Sequence, residues 1–193
     1  SKAEALEFFK FNKDKFTVLV MGGSQGSHRI NVEFTDALSG LRDISNLQVI
    51  HITGLEDYSS LKEKYRFMGA RVQVFGFFSR MHYAYSACDL IISRAGAATV
   101  SEIIFFGLPA LIIPYPHAYA HQSANAAILA EKLCASVIKD EELNAQLLKN
   151  RIEDFMAHPE KLQDMRSAYL GFAFNDPAGA LADEVAALVS EGR

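Results

Sequence analysis

Four stretches of this chain carry residue types that could hold an anion, a sugar or a planar base. The first is Gly22-Gly23-Ser24-Gln25-Gly26-Ser27, between the apolar run FTVLVM (16–21) and a segment with helical spacing. Paired glycines let the backbone turn sharply and approach a ligand closely. Ser24 offers a hydroxyl, and the N–H groups that open the next helix point at the same place. That combination suits a phosphate. It also suits a plain tight strand-to-helix turn, which needs glycine for steric reasons alone. A P-loop lysine is absent, which argues against a nucleoside triphosphatase of that type.

The second stretch, RAGAATVSE from Arg94 to Glu102, opens another helix at a strand's end. Gly96 and its small neighbours leave backbone N–H groups facing the same side. Glu102 falls about one and a half turns into that helix. There a carboxylate can accept hydrogen bonds from ribose hydroxyls, or simply face solvent. Thr99 and Ser101 fit either ligand contacts or ordinary first-turn polar positions. The third stretch is PYPHAYAHQSANA, 114–126. Its prolines hold the chain extended before a helix that opens at about His121. Gln122 and Asn125 share a face of that helix, where both could bond sugar hydroxyls. His117 and His121 are four apart, but Pro116 precedes them and no acidic third ligand is evident, so no metal site is expected. Tyr115 and Tyr119 read as loop packing. In the fourth stretch, GFFSRM (76–81), Phe77 and Phe78 point opposite ways at a strand exit. Either both are core, or one is left to lie against a planar base.

His28, His51, His82 and His158 have no partner evident in the sequence and read as structural or surface residues. No Ser/His/Asp or Cys/His set and no suitably spaced pair of carboxylates stands out. The chain shows a binding rim more clearly than a catalytic machine, and no catalytic residue is assigned.

The elements that must position these stretches follow from hydrophobic periodicity. Strands are expected at 16–21, 47–53, 71–75, 89–93, 109–113 and 135–138, with helices near 27–42, 56–68, 79–87, 97–106 and 121–134. Nearly continuous apolar strands alternating with helices imply a parallel sheet covered on both faces. The fold class is therefore α/β, a Rossmann-like doubly wound parallel sheet of about six strands. Helices alone follow, near 140–156, 160–171 and 177–190, the last started by Asp176 as cap and Pro177 as first residue. In such a sheet ligands collect beyond the carboxyl ends of the strands, where all four stretches lie.

The 193 residues suit one domain. Half are hydrophobic and 22% charged, as in an ordinary globular protein. A net charge of −4 with no long basic run argues against general nucleic-acid binding. Cys88 and Cys134 lie in apolar surroundings and read as reduced core residues of an intracellular, cytoplasmic protein. No apolar run approaches the ~20 residues of a membrane span. The start, SKAEALEFFKFNKDK, has neither the apolar core nor the cleavage site of a signal peptide, and without an initiating Met it reads as a piece of something longer.

VLVMGGSQGSHRIN, DLIISRAGAATVSEIIFFGLPALIIPYP and HQSANA, in this order and spacing, closely resemble the C-terminal half of the MurG-type bacterial glycosyltransferases of family 28. The similarity runs from about Phe16 to Ala135, and the helical tail fits it too. The resemblance implies a GT-B fold, two Rossmann-like domains across a cleft, with residues 1–193 forming the donor-binding one. It implies transfer of N-acetylglucosamine from UDP-GlcNAc to the undecaprenyl-linked acceptor lipid I, giving lipid II for peptidoglycan, with inversion. No cofactor or metal is implied.

Carried over by motif, Gly23, Ser24 and Gln25 would contact the donor's diphosphate. Phe78 would hold the uracil edge through its main chain. Ala97, Ala98, Thr99, Val100, Ser101 and Glu102 would form the second nucleotide segment, with Glu102 on the ribose. Gln122, with His121 beside it, would touch the sugar hydroxyls. The acceptor site, the base, the membrane-docking surface and a phosphate-binding arginine before the first strand belong to parts of the family pattern outside this chain. The domain alone is thus expected to be inactive, and the full-length protein to sit at the cytoplasmic face of the inner membrane. Two other readings stand beside this one: the UDP-GlcNAc-binding subunit of a eukaryotic dolichol-linked transferase, and a nucleotide-sugar-binding module without catalysis.

Overall fold

The computed structural model describes residues 1–116 and 121–172, together with Ala182, Val185 and Ala187. Six strands, β1 (Phe16–Met21), β2 (Leu47–Ile52), β3 (Arg71–Phe75), β4 (Leu90–Ser93), β5 (Ala110–Ile112) and β6 (Ala135–Val137), form one sheet. All pairings are parallel, in the order β3-β2-β1-β4-β5-β6. The order reverses between β1 and β4, so a crevice opens at their carboxyl ends, where the 22–27 and 94–96 turns emerge.

The helices are α1 (Lys2–Phe9), α2 (His28–Ser39), α3 (Leu55–Tyr65), α4 (Met81–Ala87), α5 (Ala97–Phe106), α6 (His121–Glu131), α7 (Ala145–Ala157) and α8 (Pro159–Ala168). Two apolar clusters cover the two faces of the sheet. One holds Leu19, Ile50, Ile91 and Ile112 with Phe9, Tyr85 and Ile103, and the other holds Val18, Val49, Ile92 and Leu111 with Phe34, Leu38 and Ile152. Alternate residues of each strand feed opposite clusters, which is why the strands read as continuous apolar runs.

The differences from the sequence reading lie mainly at element ends. The helix expected over 121–134 stops at Glu131, because Leu133 turns left-handed (φ 60°) and the Cys134 N–H reaches back to the Leu129 carbonyl. The helix expected from 140 starts at Ala145, where the Asn144 side chain accepts from the Leu147 N–H. Helix α1 was not anticipated. Ser1 and Glu4 form a reciprocal capping box, and Ala5, Leu6 and Phe9 face inward. Phe8 stacks on Tyr83 of α4 with centroids 4.5 Å apart. The expected last helix, with Asp176 and Pro177, lies outside the described residues apart from Ala182, Val185 and Ala187, and so do His117 and Tyr119.

His51 and His28 both have partners that the sequence did not show. His51 is fully buried on β2. Its neighbours fix its tautomer. Asn31 Nδ2 spends both hydrogens, on the Thr53 carbonyl and on Asp57, each at 2.8 Å. Its Oδ1 must therefore accept from His51 Nε2–H, 2.9 Å away. Burial pushes His51 down to about 3 against the opposing pull of Asp57. The ring is thus neutral, and its Nδ1 accepts from the Tyr65 hydroxyl at 2.6 Å.

A pH dependence follows. The unfolded chain gains a proton on His51 near pH 6.5, whereas the folded one resists to about 3. Stability from this group is present above pH 6.5 and should fall as pH drops through that window, by up to about 1.4 kcal/mol per pH unit. Urea unfolding at stepped pH values checks the slope. An imidazole resonance of His51 that titrates between pH 8 and 5 in the folded protein would refute it.

Candidate functional site

A cavity of about 750 Å³ opens at the crevice, lined by the 22–27 turn with His28 and Arg29, by Arg94 and Gly96 to Thr99, and by Tyr115 and Gln122. It joins the first three of the four stretches singled out in the sequence. The 22–27 turn closes on itself through Gly26 N–H to the Gly23 carbonyl at 3.1 Å. Gly26 has φ +83°, and a Cβ there would lie 2.1 Å from the Thr53 carbonyl oxygen. Only glycine lets the turn lie this close to the β2 exit.

Two helices begin on this cavity. Ser27 precedes α2 and Gly96 precedes α5, and neither supplies a side-chain cap. The Ser27 hydroxyl instead accepts from Arg94 Nη2 at 3.1 Å. The opening N–H groups of both helices, with the positive ends of two dipoles, are thereby left to one ligand. The chemistry that fits is an anion.

Arg94 lies beneath the cavity, 7% exposed. One Nη1 donates to the Ile113 and Pro114 carbonyls at 3.2 and 3.4 Å and pairs with Asp140 at 2.5 Å. Its guanidinium also stands over the Tyr115 ring, 5.3 Å from the centroid. This residue binds the exits of β4 and β5 to the start of α2 and was not assigned a role from sequence. An arginine directly after the apolar run LIIS was the available signal, since a charge at that place must be buried with partners.

Gln122 acts as a clamp. Its Oε1 accepts from the Ala95 and Tyr115 N–H groups, at 3.1 and 2.9 Å. Both partners are donors, so its amide nitrogen must face away from them. Asn125 does share the Gln122 face, but its Nδ2 donates to the Ala95 carbonyl at 3.0 Å, and it does not line the cavity. The sequence pairing of these two on a sugar is therefore corrected: both grip the Ala95 turn, and Gln122 alone reaches the cavity.

The remaining expected residues are dispersed. Gly23 is half-buried, while Ser24, Gln25, Ala97 and Ala98 are exposed along the cavity wall. Thr99 lines it too but is mostly buried, and Val100 packs into the core, so its side chain faces away. Ser101 and His121 are exposed but do not line it. Glu102 does not line the cavity itself, but it follows Ala98 by one helical turn, on the same face. Its Oε2 accepts from the Tyr85 hydroxyl at 2.6 Å. Burial and this bond raise the Tyr85 phenol well above its ordinary range, so it stays a donor. Tyr85 was missed because it reaches Glu102 from another helix. Phe78 packs against Phe8, Phe9 and Phe75, while Phe77 is 67% exposed. Of the two phenylalanines, Phe77 is the outward one.

Among the described residues no group of three or more His, Cys, Asp or Glu could hold a metal ion. No helix there is long and apolar enough to cross a membrane. Cys88 and Cys134 are buried free thiols, and burial pushes Cys88 up to about 12.

Comparison with known proteins supplies the context. Residues 17–180 match the sequence model of the Glycosyltransferase family 28 C-terminal domain. A UDP-N-acetylglucosamine--N-acetylmuramyl-(pentapeptide) pyrophosphoryl-undecaprenol N-acetylglucosamine transferase of Thermodesulfovibrio yellowstonii is 39% identical over 174 residues, covering 89% of this chain and 48% of that protein. The chain thus spans about half the length of the curated relatives it matches. The crystal structure of Acinetobacter baumannii MurG superposes with a TM-score of 0.75 at 28% identity, over 86% of this chain and 48% of that one. The C-terminal CMP-Kdo binding domain of WaaA from the same organism shares the fold, with a TM-score of 0.66 at 10% identity, over 87% of this chain and 93% of its own.

Proposed function

The chain belongs to the glycosyltransferase family 28 C-terminal domains, and on that premise we propose that residues 1–193 form the donor-binding half of a MurG-type enzyme. The donor is UDP-GlcNAc. The observation that carries this reading is the pair of uncapped helix starts, α2 and α5, opening on one cavity beside the glycine turn. Two anion-binding helix ends suit a diphosphate better than a single phosphate. The relatives' names give the donor class, and the arrangement here suits its parts.

In this reading the diphosphate lies against Gly23, Ser24 and Gln25 and the start of α5. Glu102, with one oxygen held by Tyr85, offers the other to the ribose hydroxyls. The uracil edge meets the main chain at Phe78, whose ring is spent on packing. The outward amide nitrogen of Gln122 meets a sugar hydroxyl, near His121. During inverting transfer an acceptor hydroxyl of lipid I attacks the anomeric carbon as its bond to UDP breaks. Negative charge grows on the diphosphate, where fixed N–H dipoles stabilise it without reorganisation. The acceptor site, the base and the contact with the membrane belong to the half of the relatives that this chain does not span.

Calorimetry with UDP, UDP-GlcNAc and UDP-glucose tests the reading. UDP should bind, and Glu102→Ala should weaken it roughly tenfold, the equivalent of about 1.4 kcal/mol of ribose contacts. Equal affinity of the variant for UDP would remove Glu102 from the ribose. Absence of UDP binding by the unaltered domain would remove the donor-site reading altogether.

A further inference from the structure

His28 is the second wall of a feature that the donor reading leaves unused. The ridge formed by Ser24 to His28 separates the 750 Å³ cavity from a second cleft of about 400 Å³, and His28 lines both. Its side chain is 79% exposed, yet its Nδ1 lies 3.0 and 3.1 Å from the two oxygens of Asp57. A solvated contact of this sort ordinarily contributes little and needs no support. This one has support. Asp57 is only 18% exposed, and its Oδ2 accepts from the fully buried Asn31. Asn31 is in turn locked by the Thr53 carbonyl and by His51. Burial opposes the charge on Asp57, but the hydrogen bonds from Asn31 and His28 outweigh it and hold the carboxyl below its usual range.

The consequence is an oriented imidazole. A carboxylate can only accept, so Nδ1 carries a hydrogen toward Asp57. Nε2 is then the ring's other functional atom, on a residue that opens α2 and lines the anion cavity. We propose that His28, aimed by Asp57, is a proton-linked contact to the donor diphosphate: it binds a phosphate oxygen through Nε2–H and takes up a proton from solvent as the nucleotide sugar binds. This inference rests on the donor-site reading above. The groups facing His28 are Asp57 and Glu56 from α3, Arg29 from its own helix, and Arg94 and Tyr115 across the cavity. The glycine turn brings no charge. Among these side chains an imidazole is the type that changes charge between pH 6 and 8, and an anion placed at Nε2 on one side with a carboxylate on the other favours its protonated form.

The test is calorimetry of UDP-GlcNAc at pH 7 in buffers of different ionisation enthalpy. UDP-GlcNAc is chosen because both ends of its diphosphate are esterified, so the ligand itself does not titrate near neutrality. The expected result is uptake of about half a proton or more per ligand, and affinity that falls roughly tenfold from pH 6 to pH 8. His28→Gln should abolish the uptake and flatten the pH profile while still binding, and Asp57→Asn should reduce both. Binding with no proton uptake, or uptake that survives His28→Gln, would overturn the proposal and leave the donor site standing. Failure of UDP-GlcNAc to bind the unaltered protein would overturn both.

Discussion

Replacing Gly26 by alanine is expected to lower stability by roughly 3 kcal/mol or more and to weaken UDP binding about a hundredfold. Two penalties coincide at this position. A residue with a side chain is strained at φ +83°, and the new carbon would sit 2.1 Å from one backbone atom of Thr53 and 2.8 Å from another. Neither neighbour is a flexible side chain that can swing aside. The approach is reciprocal, since a Cβ on Gly54 would meet the Gln25 carbonyl oxygen at 2.3 Å. The strand exit and the turn must therefore part, and the turn must leave the cavity wall. Gly23→Ala is the control. Its φ is +92°, but no protein atom lies within 4 Å, so its stability should fall only by the backbone strain of about 1 kcal/mol. Urea unfolding of the two variants decides the stability difference, and UDP titration of Gly26→Ala against the unaltered domain decides the binding loss. Equal losses in both would show that the contact with Thr53 contributes nothing.

The second large effect is expected at Arg94. Arg94→Met keeps much of the volume but leaves Asp140, whose side chain is 12% exposed, with only the more exposed Arg29 at 3.3 Å. The carbonyls of Ile113 and Pro114 lose a donor as well. Removing one partner of a buried pair typically costs about 3–5 kcal/mol, because the remaining charge is left uncompensated. Arg94→Lys should recover only part of this. A lysine is a compact charge on a flexible stem and cannot reach Asp140, two carbonyls and the Ser27 hydroxyl with one planar fork. A loss below about 1 kcal/mol in the methionine variant would show that Arg29 compensates for it.

The sheet was legible because both of its faces are covered. A strand such as DLIIS stands out by its unbroken apolar centre, Leu90 to Ile92, and three of the linking helices, α2, α3 and α5, are bounded by glycine at one end or both. The strand order followed from neither, yet the rim did, since every parallel strand must end on it. Helix α1 was not read because its apolar face is only three residues, Ala5, Leu6 and Phe9, and it gains its place from α4. Site residues that act through backbone or through their own loop were readable: Gly23, Ser24 and Gln122 sit in stretches whose composition is unusual. Residues that act through a distant partner were not. Asp57 lies 29 positions from His28, and Asp140 lies 46 from Arg94. Only the fold brings such pairs together, and periodicity carries no record of them.

The reach of Arg94 also sets an order in time. A growing chain emerges from its amino end, so the segments around the cavity, from Gly22 to Gln122, are all made before Asp140 exists. Until then the guanidinium has no carboxylate to settle against, although the pairing of β1 with β4 already sets the starts of α2 and α5 side by side. A nascent or truncated chain ending short of Asp140 would hold every residue proposed to contact the nucleotide and still lack the carboxylate that anchors Arg94 beneath the cavity. The floor of the cavity is thus completed late in synthesis, by the ion pair between Arg94 and Asp140.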